Sequence, residues 1–152
     1  MCIRDRHVLP QFDDVYSIDT LPPRPHGLLV CNLDPAHCPG TDWVAIYVDD
    51  NYGEYFDSIG RAPPDSIQRY LDRWCGGANK WIFNDRQVQS VISRLCRHYC
   101  IYYCTLRSNA KSKSKKISLR EIVTSLSKDT AFNDVLVHAF VCKRLNNISI
   151  KD

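Results

Sequence analysis

With 152 residues, the chain is long enough for one domain with a core of its own. Charged residues make up 24% and hydrophobic ones 44%, with a net charge of only +3, so no strong global field toward nucleic acid or membrane arises and any basic function has to be local. No apolar run is long enough for a membrane span and no signal-peptide pattern is visible, so the cysteines read as thiols of a reducing cytoplasmic or nuclear interior rather than as a disulfide framework.

Met1 to Arg6 has no pattern joining it to the residues after it and is set aside as an extension; residues 1–8 are left out and a single domain is expected over 9–152. Leu9 to His26, rich in proline, reads as an irregular entry that includes Val15 to Ile18 and a turn. Gly27 to Asn32 is a continuous apolar run, the mark of a buried strand, and Asp34 to Gly40 is a loop. Trp43 to Val48 and Gly53 to Asp57 flank the polar turn Asp49–Tyr52 and form a hairpin. An even-numbered loop places Asp42 opposite Ile59, with Asp57 diagonal to it on the same face, about 7–8 Å away.

Asp65 to Trp74 is predicted helical, with Ile67, Tyr70, Leu71 and Trp74 on one face and Asp65 or Ser66 as cap. Trp81–Phe83 is a short strand. Cys96, Tyr99, Cys100, Tyr103, Cys104 and Leu106 recur at intervals of three and four, and Ile101 and Tyr102 widen the stripe, so this helix is expected at the centre of the domain. Arg107 to Lys116 reads as a basic loop: a solvated connector, or in the alternative a weak nucleic-acid contact through Lys111, Lys113, Lys115 and Lys116. No aromatic residue is interleaved for base stacking, which favours the connector. Ser118 to Glu121 is a capping box opening a short helix to about Leu126. A last helix comes after Thr130, with Phe132, Val135, Leu136, Ala139, Phe140 and Lys143 on its packed side and Lys143-Arg144 near its C-terminus; His138 is placed on the outer face.

The chemistry gathers around the central helix. Ser93 is the expected N-cap, which sets Cys96 in the first turn, where the helix dipole and unpaired N–H groups favour an anionic sulfur. Gln89, a short loop upstream, is positioned to fold its amide back beside that sulfur and, with the Cys96 N–H, to form an oxyanion hole. Cys100 and Cys104, deeper in the helix, read as packing. No Cys-x-x-Cys pair occurs, and Cys96, Cys100 and Cys104 spread over about 12 Å of helix, too far to hold one ion. Only Cys31, His37, Cys38 and Cys75 remain as a conceivable zinc set, and no metal or other cofactor is assigned.

Four blocks stand in one order: Pro39 to Tyr47, Gly53 to Gly60, Val88-Gln89-Ser90, and Leu95 to Cys100. This combination resembles the adenain-like (adenovirus-type) cysteine proteases, in particular those of Maverick/Polinton DNA transposons, and more distantly the ubiquitin-like-protein proteases. The resemblance implies an α+β, papain-like or adenain-like proteinase fold, a central, mostly antiparallel sheet packed on a buried helix that begins at the nucleophile. It also implies cleavage of polypeptides at small-residue sites in viral-like structural precursors or ubiquitin-like tails. Carried over by position, Cys96 is the nucleophile, Gln89 the oxyanion donor and Asp57 the acid that orients the base.

Two positions depart from the pattern. Asp42 occupies the place of the general-base histidine, and Arg97 replaces the small glycine that usually comes after the nucleophile. A histidine lies about 2 pKa units from a thiol and an aspartate about 4.6, so proton transfer to an aspartate costs roughly 6 kcal/mol. Asp42 beside Asp57 also adds like-charge repulsion. His98 is expected to turn away from Cys96, and His37 would have to swing in from its loop. The expectation is a protease with impaired or absent hydrolysis; the alternative is a catalytically dead domain of the same fold that binds peptide or nucleic acid.

Overall fold

Two layers of helix enclose a five-stranded sheet. A computed structural model of the chain describes residues 12–25, 27–109 and 117–149; the proposed extension over 1–8 and the lysines from Lys111 to Lys116 lie outside the described residues. The strands, in both sequence and spatial order, are β1 (Phe12–Ser17), β2 (Gly27–Asn32), β3 (Trp43–Asp49), β4 (Tyr52–Phe56) and β5 (Trp81–Phe83). The centre of the sheet is antiparallel, β2 to β3 and β3 to β4, and the outer pairs are parallel. The helices are α1 (Asp65–Cys75), α2 (Cys96–Asn109), α3 (Leu119–Ser125) and α4 (Thr130–Ser149).

Alternation along the strands explains the two layers. Trp43, Ala45 and Tyr47 of β3 face the core shared with α2, α3 and α4, whereas Val44, Ile46 and Val48 face α1 through Ile67, Leu71 and Cys75. With both faces covered, β2 and β3 read as nearly unbroken apolar runs. The hairpin has the expected register, from Asp49 paired with Tyr52 to Ala45 paired with Phe56, around a tighter turn than the sequence implied. Gly53 is required where β4 passes α1 and β5, since a Cβ there would collide with the Cys75 sulfur.

The largest commitment of polar groups is the carboxylate of Glu54, wholly buried on β4. It accepts from Tyr52 Oη and Tyr103 Oη at 2.6 Å and from Arg107 Nε and the Leu119 backbone N–H at 2.8 Å. All its acceptor sites are therefore used, and β4, α2 and the start of α3 are joined at one point.

Several local expectations are corrected. Arg107 belongs to the last turn of α2, buried against Glu54 with its guanidinium 4.1 Å from the Tyr47 ring centroid, and is no part of a basic loop. The entry segment contains a true strand, β1, because pairing with β2 satisfies its backbone. Pro64, without a side-chain bond, caps α1, so Asp65 sits inside the first turn. In α4 the buried stripe is Asn133, Val137 and Val141, while Phe132 and Val135 are 56% and 70% exposed. Of the expected face Phe140 does pack, edge-on to Tyr102, but the periodicity missed the buried stripe because its first member is a polar residue, Asn133, which donates inward to the Val88 and Ser127 carbonyls. Because α4 runs on to Ser149, Lys143 and Arg144 lie inside it and not at its end. The Ser118 cap on the Glu121 N–H is present as expected.

Replacing Glu54 with Ala leaves Arg107 buried without its counter-charge and should cost about 3–5 kcal/mol in urea unfolding. A loss below about 1 kcal/mol would show that the four-donor cluster is dispensable.

Candidate active site

Cys96, Asp42, Asp57 and Gln89 line one cleft of about 820 Å³, together with Thr41, Trp43, Arg61, Ser93, Arg94, Arg97 and His98 among others. The fold brings all four site residues expected from sequence to one place. Cys96 is the first residue of α2, partly exposed, and its sulfur donates to the Thr41 carbonyl at 3.5 Å. The first intrahelical carbonyl is that of Leu95, which accepts from the Tyr99 N–H at 3.0 Å. Ser93 is consequently not the N-cap. Its own N–H closes a turn on the Ser90 carbonyl, and its hydroxyl is taken up by Gln89 instead.

The acid is held by a short turn. After Asp57 the chain folds back, the Gly60 N–H meeting the Asp57 carbonyl at 2.8 Å with Gly60 at φ +80°, a conformation glycine tolerates best. Arg61 is thereby returned to the Asp57 side chain. Asp57, 2% exposed, accepts from Ile59 N–H and from Arg61 Nε, both at 2.9 Å. The other end of the same guanidinium lies 3.5 Å from Asp42, half-exposed on the approach to β3. The two carboxylates that sequence set in simple repulsion thus share a permanent cation. Asn84 clamps the Asp57 backbone from the β5 side, through its amide to the Asp57 N–H and carbonyl.

Gln89 is buried and anchored at every polar atom. Ser58 Oγ donates to its Oε1, and its amide nitrogen donates to the carbonyl and the hydroxyl of Ser93, each at 3.0 Å. Behind it, the Ser58 carbonyl accepts the Val88 and Gln89 N–H groups, and Tyr99 and Asn133 hold the Val88 carbonyl. The amide is therefore directed at Ser93 rather than free beside the sulfur.

Arg97, the residue after Cys96, lines the cleft and projects over the ring of Trp43, 5.0 Å from its centroid. His98 contributes to the cleft lining, and its ring stacks on exposed His138 of α4 at 5.5 Å. Exposed His37 is not among the cleft residues. Among the described residues no cluster of His, Cys, Asp or Glu could hold a metal ion; Cys31 of β2 and Cys75 of α1 lie in the core between the sheet and α1. Arg61, Ser58 and Asn84 could not be singled out from sequence as site residues, although for Arg61 a signal was present: an arginine four residues after Asp57, beyond a glycine.

Burial pushes the thiols of Cys31 and Cys75 up to about 12 and about 11, and those of Cys100 and Cys104 upward as well. Because the thiolate is the reactive form, iodoacetamide should label the partly exposed Cys96, Cys38 and Cys142 in the native protein, and the buried Cys31, Cys75, Cys100 and Cys104 only after unfolding. Labelling of Cys100 or Cys104 under native conditions, read by peptide mass mapping, would contradict the seating of α2.

No family model and no curated protein matches the sequence. Solved structures of one protease do resemble it. A crystal structure of the Se-Met ASFV pS273R protease has a TM-score of 0.51 at 24% identity, over 76% of this chain and 44% of that one. A second crystal structure of ASFV pS273R protease has a TM-score of 0.40 at 25% identity, over 65% of this chain and 41% of that one. The chain thus spans less than half the length of that protease. The sheet and helices described above share the mixed α+β fold of that protease.

Proposed function

We propose that this chain is a cysteine-protease domain that retains the nucleophile Cys96 but lacks a working general base, so that peptide hydrolysis is strongly reduced. The observation that supports it most is the convergence of Cys96, Asp42, Asp57 and Gln89 on one cleft at the N-terminus of the central helix. In this reading Cys96 would attack a peptide carbonyl, Gln89 would donate to the developing oxyanion after releasing Ser93, and Asp57 would orient a base. Asp42 is a poor acceptor for a thiol proton, and Arg61, always protonated, cannot take one. The order of the sequence blocks supports descent from the adenain-like enzymes of Maverick/Polinton or virus-like genomes, acting on polypeptides at small-residue sites.

Arg61 adds a second obstacle. It occupies the Asp57 oxygen that an imidazole would need, and it would repel an imidazolium at position 42. Asp42→His alone should therefore raise hydrolysis of a small-residue p-nitrophenyl peptide ester by less than about tenfold, whereas Asp42→His with Arg61→Ala should raise it about 10²-fold or more. Full recovery in the single variant would overturn the role given to Arg61. No gain in the double variant, with Cys96 still alkylated, would overturn the base deficiency itself.

A second reading, a non-catalytic peptide-binding domain, is favoured by Arg97 lying over Trp43 beside Cys96.

A further inference from the structure

We infer that the cleft beside Cys96 takes an acidic peptide segment, with Arg94 and Arg97 setting the specificity and the neighbouring Val91–Ile92 lip supplying an apolar contact. The inference rests on the protease-domain reading for the location of the ligand and adds its chemical class.

Three arginines face the cleft, Arg61, Arg94 and Arg97. Arg61 is committed to Asp57 and Asp42. Arg94 and Arg97 are exposed, and among the described residues neither pairs with a carboxylate. Arg97 is nonetheless fixed in place, its guanidinium resting on the Trp43 ring. Stacking leaves the edge of the guanidinium available, and that edge matches a carboxylate in a bidentate geometry. Two such groups flank Cys96 in the chain, so a peptide crossing the sulfur passes both.

The apolar component is equally local. Val91 and Ile92 are 72% and 90% exposed, and Val91 lines the cleft. Adjacent large aliphatic side chains left in water beside a cationic wall fit a partner that alternates acidic and aliphatic side chains. Nucleic acid fits less well. The Trp43 ring is buried and covered by Arg97, which leaves it no open face for base stacking. Asp42, half-exposed in the cleft lining, would repel a continuous phosphate backbone.

The test uses the full chain with Cys96→Ala, so that binding is read without chemistry. A fluorescein-labelled peptide of alternating Glu and Leu, its Lys-for-Glu counterpart and an oligothymidylate of equal charge are compared by anisotropy. The Glu peptide should bind at least about tenfold tighter than either, with an affinity that falls as salt rises, and Arg94→Glu should lower it about tenfold while Arg94→Lys keeps most of it. Equal binding of the Glu and Lys peptides, or unchanged affinity in Arg94→Glu with an intact circular dichroism spectrum, would overturn the inference. Tighter binding of the oligothymidylate would also overturn it, in favour of nucleic acid. Acylation of Cys96 in the unsubstituted protein is measured in parallel. If acylation persists and the acidic preference is absent, only the ligand class fails; if the preference persists without acylation, the protease reading fails instead.

Discussion

The buried carboxylate of Glu54 fixes where the central helix lies, and the rest of the molecule depends on that placement. A charge removed from water needs every one of its acceptor sites filled, and here two phenols, a guanidinium and a backbone N–H do so. Those donors come from β4, α2 and the first residue of α3, so the arrangement specifies the angle and depth of α2 as well as stabilising it. At its other end α2 meets the approach to β3, where the Cys96 sulfur reaches the Thr41 carbonyl. A helix tied to the sheet at both ends cannot slide, and Cys96 stays at the mouth of the cleft.

Around that sulfur the polar groups form a closed set. Asp57 is engaged by Arg61 and the Ile59 N–H, Gln89 by Ser58 and Ser93, and Asp42 is drawn to Arg61. In the proposed account each group that would act in peptide hydrolysis is present but held by a neighbour, and the position that should carry a proton acceptor near neutral pH carries a carboxylate. Arg61 resolves the conflict between Asp42 and Asp57 that is visible in the sequence. It offsets their mutual repulsion while offering no route for a proton.

The parts of this that were readable from sequence are those set by period and by local chemistry. The hairpin register, the strand over Trp81–Phe83, the Ser118 cap and the apolar α2 each come from alternation, helical spacing or a side chain bonding its own backbone. What escaped reading depends on partners distant in the chain. Arg107 looked like the first residue of a basic tract until Glu54, far upstream, proved to be its partner. The buried stripe of α4 was missed because its first member is Asn133, whose amide satisfies carbonyls on another segment, while Phe132 and Val135 remain in solvent. Ser93 has the composition of a cap but is engaged by Gln89. Convergence of Asp42, Asp57, Gln89 and Cys96 was expected from the order of the blocks; the guanidinium between the two acids was not.

The central claim is that the nucleophile survives and the proton acceptor does not, and the two separate cleanly in acylation and deacylation. An activated p-nitrophenyl peptide ester supplies a leaving group that needs little help, whereas hydrolysis of the resulting thioester requires a base to activate water. Intact-mass spectrometry after mixing protein with excess ester should therefore show one acyl group accumulating on Cys96 and persisting while p-nitrophenol release stops near one equivalent. Continued release of many equivalents with no acylated protein, or no acylation at Cys96 at all, would contradict the account.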